Sequence, residues 1–132
     1  MTLVLTFYEI SILLYSRGYR QISGIKMPER DHTASEIIYA LKHMTDDGIV
    51  TAGEEAFRLR DDVAKILDAI GNRVSVSMKE SRNGHPAYSC YFTTGYVVVT
   101  QLHEFKETTL RITSFTEEEF VSWSEEIEDD YC

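Results

Sequence analysis

The hydrophobic period of this chain changes at residue 73, from helical spacing to strict alternation. In RVSVSMK, residues 73–79, Val74, Val76 and Met78 alternate with Arg73, Ser75, Ser77 and Lys79. That is the pattern of a strand with one face on a core. Asn83-Gly84 then supplies the dipeptide that favours a tight hairpin turn, and PAYSCYFT, residues 86–93, forms the return strand. A corner at Thr94-Gly95 leads into YVVVTQLH, and a turn near Lys106 leads into TTLRITSF, where Leu110 and Ile112 point inward. These segments predict a four-stranded antiparallel meander.

Before residue 73 and after residue 115 the chain reads as helix. Thr6 with Glu9, Thr33 with Glu36 and Thr116 with Glu119 repeat one signature, a Thr followed three residues later by Glu and then an apolar run. Each predicts a capping box, in which the Thr hydroxyl accepts from the third amide and the Glu reaches back to the cap's own N–H. Helices are expected over 7–17, 34–46 and 62–70, ending at Gly18, Gly48 and Gly71, and again from 117 onward. The first is apolar nearly all round, so it must be buried or shared with another chain. In the last, Phe120, Trp123 and Ile127 lie at helical spacing opposite a wall of carboxylates. Short strands at 2–5 and about 20–25 flank the first helix. Between the second and third, TAGEEAFRLR is a charged hairpin. The expected fold is α+β: N-terminal helices with a winged-helix-like hairpin packed on a four-stranded antiparallel meander, closed by a C-terminal amphipathic helix. One domain spans residues 1–132, with an acidic, frayed tail at 128–132.

Composition narrows the function classes. At 132 residues, 43% hydrophobic and 27% charged, the chain resembles an ordinary globular domain. Its longest strongly apolar run, ISILLY, is far short of the roughly 20 residues a bilayer span needs. MTLVLTFYEI has no basic segment ahead of its apolar stretch, so the chain reads as cytoplasmic, with no membrane partner. Net charge is -9, but residues 117–132 hold eight of the 22 acidic residues and none of the 13 basic ones. The remainder is therefore nearly neutral, at -1.

Two helices, a short strand and a hairpin are the parts of a winged helix-turn-helix, whose second helix would enter the major groove. That helix offers only Lys42 and His43 against Glu36. Glu54 and Glu55 stand where a wing would meet phosphate, and Arg58 and Arg60 are outweighed by Asp46, Asp47, Asp61 and Asp62. No nucleic-acid partner is expected, and an acidic winged-helix-like regulator is the alternative reading. His32, His43, His85 and His103 are not paired at metal-ligand spacing, so neither metal nor cofactor is expected. Cys90 and His103, on neighbouring predicted strands, would permit a thiolate–imidazole pair, but nothing supplies an oxyanion site or an orienting third group. The chain therefore reads as non-enzymatic. The sheet's second face, with Ser75, Ser77, Ser89, Tyr91, Thr109, Arg111 and Thr113, has the Tyr and Arg composition enriched at protein interfaces. Tyr91, Arg111, Thr109 and Thr113 are its candidate partner-binding residues.

The order of elements resembles one half of an EspG-type protein, the cytoplasmic chaperones of type VII (ESX) secretion. The resemblance rests on the opening LTFYEISILLYSRG, an irregular segment around GIKMP, the helix ending ALKHMTDDGIV, and the short helix DDVAKILDAIGN. The meander, with NRVSVSM and YFTTGYVVVTQ, and its closing helix complete it. It implies a pseudo-twofold α+β fold and the binding of small helical secreted proteins before export. The family has two fused halves where this chain has one, and a homodimer would restore the second. The family's substrate contacts form no sharp motif, so no residue is carried across.

Overall fold

The alternating segments form one antiparallel sheet, which has five strands rather than four. A computed structural model describes residues 2–19, 22, 25, 33–52, 57–79, 87–102 and 109–131. In chain order these form β1 (Thr2–Thr6), α1 (Phe7–Ser16), α2 (Ala34–Asp46), β2 (Val50–Ala52), β3 (Phe57–Leu59) and α3 (Asp61–Gly71). Then follow β4 (Ser75–Lys79), β5 (Tyr88–Phe92), β6 (Tyr96–Leu102), β7 (Thr109–Thr116) and α4 (Glu117–Tyr131). The sheet runs β1-β7-β6-β5-β4, while β2 and β3, in the segment read as a winged-helix-like hairpin, pair as a separate two-stranded antiparallel sheet. The added strand, β1, pairs Thr2 with Thr113 through Thr6 with Thr109. The fold is α+β, as expected. The Asn83-Gly84 turn, the turn near Lys106 and most of the 20–25 strand lie outside the described residues, as do Glu54 and Glu55.

All three capping boxes are present. The N–H of Thr6, Thr33 and Thr116 donates to the carboxylate of Glu9, Glu36 and Glu119 at 3.0, 3.0 and 2.9 Å, and each Thr hydroxyl accepts in return. β7 therefore passes into α4, and β1 into α1, without an intervening loop. Beyond α1, Gly18 takes a φ of 89°, open to glycine and strained for other residues.

Both faces of the sheet carry packed layers, the outer one over only part of its area. Its inner face sets Leu3, Leu5, Tyr91, Val98, Leu110 and Ile112 against α1 and α3, with α2 packed on α1. Ile10, Leu13 and Leu14 of α1 are buried within this layer, so the apolar helix needs no second chain to cover it. On the outer face Tyr88, Cys90, Val97 and Val99 lie with Phe92 and Phe115 beneath Phe120 and Trp123 of α4. One expected core contact fails. Val74 and Met78 are 79% and 60% exposed, because β4 is an edge strand and α3 packs mainly over β5 and β6. Of that trio only Val76 packs against the core.

A polar clasp joins the end of α1 to α3. Arg17 donates to both carboxylate oxygens of Asp68, at 2.7 and 2.6 Å. The Tyr19 hydroxyl donates to Asp68 at 3.1 Å and accepts from the Asn72 amide at 2.8 Å. The Arg17 guanidinium holds the Asp68 carboxyl below its ordinary range. An exposed ion pair of this kind contributes only about 0.2–1 kcal/mol, so the seating of the Tyr19 ring matters more. That ring lies where a Cβ on Gly71 would stand. Gly71→Ala is therefore expected to destabilise by about 1 kcal/mol. The helix-propensity gain of up to ~1 kcal/mol is outweighed by two displaced hydrogen bonds of about 0.5–1.5 kcal/mol each and the lost ring contact. In a Tyr19→Ala background the same substitution should stabilise. Urea denaturation of the four chains measures both, and an unchanged sign would sink the overlap argument.

Candidate partner-binding face

The outer sheet face is only half covered, and its register decides which residues it presents. One row across the sheet reads Ser77, Cys90, Val99, Thr113 and Thr2; the next reads Lys79, Tyr88, Gln101, Arg111 and Val4. A third reads Ser75, Phe92, Val97 and Phe115. α4 crosses this surface on two aromatic anchors. Trp123 meets Tyr88 edge-on at 5.2 Å between centroids and Phe115 at 5.3 Å. Phe120 meets Phe92 at 5.5 Å and Phe115 at 6.4 Å. Beside the helix, on β1, β7 and β6, an open strip remains: Thr2, Val4 and Arg111 exposed, Gln101 and Thr113 half-buried. Among the described residues Arg111 has no ion-pair partner. Of these residues Arg111 is the type enriched at protein interfaces.

The four candidate residues fare differently. Arg111 and Thr113 stand on this strip as expected. Thr109 shares the face through its pairing with Thr6 but is buried. Tyr91 is a correction: it is fully buried on the opposite face, between Val76 and Val98, and Ser89 goes with it. Burial pushes the Tyr91 hydroxyl up to about 12, with Thr100 and Ser89 as its hydrogen-bond partners. The alternation in β5 was read one residue out of step because YSCYF is apolar on both sides. Val4 and the aromatic seat of α4 were missed for related reasons. Val4 joins the face only through the β1–β7 pairing, and a continuous apolar run signals a strand buried on both faces.

Two other clusters could suggest chemistry. Cys90 is buried beneath α4, and desolvation pushes its thiol up to about 11, well away from the thiolate a nucleophile needs. His103, its proposed partner, lies outside the described residues, as do His32 and His85. The second cluster is Glu9 with His43. Glu9 is only 4% exposed and is the one buried charged residue among those described. One of its oxygens accepts from Thr6, and the other lies 2.7 Å from Nδ1 of His43. Asp47, at 3.7 Å, also faces the ring. An imidazole oriented by a buried carboxylate resembles a general base, but its contacts, Glu9 and Asp47, are both acceptors and neither is a nucleophile. The pair ties α2 to α1. Among the described residues no group of His, Cys, Asp and Glu is arranged to hold a metal ion, and no helix is long and apolar enough to cross a membrane. No family model matches the chain, and no curated protein matches it.

The Glu9 contact raises the His43 pKa above its ordinary 6.5, with Asp47 and Asp46 adding to it. The folded state then holds a proton more tightly than the unfolded one. The stabilisation is complete below about pH 6.5 and is lost as pH rises through the raised value. Urea midpoints should therefore fall with rising pH in the unsubstituted chain relative to His43→Gln. Parallel pH profiles would show that the contact is not linked to folding.

Proposed function

We propose that the chain is a non-enzymatic protein-binding domain, a chaperone or adaptor for a small helical secreted protein of a type VII-like export system. The observation that carries this reading is the open strip of Val4, Gln101, Arg111 and Thr113, running alongside a helix already docked on the same sheet. A second helix laid parallel to α4 would cover Val4 and offer a carboxylate to Arg111. The charge map supports a protein partner over DNA. α2 carries one Lys, and Glu36, Asp46 and Asp47 share the helix and its cap. His43, the remaining candidate for a base contact, is engaged with Glu9.

A homodimer belongs to the same proposal, with β4 as its seam. Among the described residues no strand pairs with the outer edge of β4, and Val74 and Met78 are exposed there. Antiparallel self-pairing centred on Ser77 would set Val76 against Met78 and Ser75 against Lys79, with no like charges opposed.

Affinity capture with the tagged full chain from its own cells should recover a small helical secreted protein. Arg111→Glu combined with Val4→Asp should reduce that capture at least about tenfold without unfolding the chain. Recovery of DNA alone, or a gel shift at low salt that fades as salt rises, would favour the regulator instead. Light scattering should give twice 15.2 kDa, returning to 15.2 kDa for Met78→Lys, which plants a charge on the exposed edge. A monomer at all concentrations would remove the dimer.

A further inference from the structure

Glu9 is the charged side chain most fully withdrawn from water among the described residues, and the group that answers it belongs to another helix. Its carboxylate is 4% exposed. One oxygen accepts from the N–H of Thr6 at 3.0 Å, and the other lies 2.7 Å from Nδ1 of His43, a side chain 54% exposed. The pair therefore bridges α1 and α2 with one partner inside the molecule and the other at its surface. A buried anion that loses its counter-charge is costly, so the charge on the imidazole bears on whether water is kept from Glu9. Glu9 faces the ring from α1, and α2 with its cap adds Asp47 at 3.7 Å and Asp46. β2, which also packs on α2, has no titratable side chain. All three carboxylates favour the protonated ring. A neutral ring still donates a hydrogen bond through Nδ1, but it no longer balances the charge of Glu9.

The helix held by this pair is otherwise lightly embedded. Of its apolar side chains Ala40 and Met44 are buried and Ile37 and Leu41 half-buried, while Ile38 and Tyr39 face solvent. α3, by contrast, buries Val63, Ile66, Leu67, Ala69 and Ile70. Gly48 follows α2 with a φ of 76°, and directly beyond it buried Ile49 and Val50 anchor the chain again. Ile12 and Leu13, both buried, lie about one turn from Glu9 on the same side of α1.

We propose that Glu9 and His43 form a proton-operated latch on α2. While His43 carries its proton, α2 stays closed on α1. When the proton is lost, α2 comes away as far as Gly48, with α3 and the sheet still in place. The opened chain presents the side of α1 that carries Glu9, Ile12 and Leu13. The protonation change is thereby assigned to one helix rather than to global unfolding, and the latch needs no bound partner. The closed state holds the proton more tightly than the open one. The opening equilibrium is therefore flat below about pH 6.5, rises by at most about tenfold per pH unit above it, and levels off once His43 is neutral in both states.

Amide hydrogen exchange on the full chain between about pH 5.5 and 8.5, with intrinsic rates divided out, reads that equilibrium helix by helix. Amides of α2 should open at least about tenfold more often than those of α3 and β6 throughout, and increasingly so as pH rises past 6.5. His43→Gln should remove the rise, and Glu9→Gln, which keeps an oxygen for the Thr6 N–H, should reduce it. α2 amides as protected as those of α3 at every pH would overturn the proposal, since α2 would then open only with the whole chain. So would an α2 profile flat with pH, or a rise that persists in His43→Gln. NMR titration of His43 adds a check that needs no variant, and so decides even where Glu9→Gln does not fold: a ring titrating at or below pH 6.5 overturns the latch.

Discussion

Strand β7 is hydrogen-bonded along both edges, to β1 and to β6, and the rest of the structure takes its bearings from it. Its side chains alternate between two occupied layers. Leu110 and Ile112 go to the helices α1 and α3, whereas Arg111, Thr113 and Phe115 go to the α4 side. A slip of one residue would exchange the two sets, burying a guanidinium and exposing two aliphatic side chains, so the register is strongly specified. The capping box at Thr116 then converts strand into helix at a fixed point, which is why Phe120 and Trp123 land over Phe92 and Tyr88.

Local signals were legible wherever one physical cause acted alone. The Thr-x-x-Glu boxes marked three helix starts because the cap is a contact within four residues. β7 itself was readable because only one of its faces is aliphatic along Leu110 and Ile112. Legibility failed where two causes overlapped. YSCYF of β5 feeds both cores, so no polar side marks a direction, and Tyr91 was assigned to the wrong layer. In β4 the alternation was real, but position at the sheet edge left Val74 and Met78 outside the reach of the helices. Glu9 looked like a cap and nothing more. Its second partner, His43, is on another helix, and only the packing of α2 on α1 brings the two together.

The outer face and the helix on it carry exposed charges of both signs. Arg111 is exposed on the strip, next to Gln101 across the strand pair, while Glu117, Glu118, Glu119, Glu125 and Glu126 of α4 are exposed too. At physiological ionic strength exposed charges act over roughly 8 Å, so Arg111 influences an approaching partner at contact range, not at a distance. For the proposed partner, selectivity would then come from matching one carboxylate to Arg111 and one apolar ridge to Val4 rather than from long-range attraction.

The pairing of Thr2 with Thr113 has a consequence for how the chain comes to be folded. β1 is made about a hundred residues before its neighbour β7, so it is among the last strands to find its place. Until then α1, the most apolar segment, has no sheet to lie against. Such a long-range closure slows folding and prolongs exposure of sticky surface. During that interval α2 and α3, which pack on α1 in the folded chain, are the elements placed to cover it.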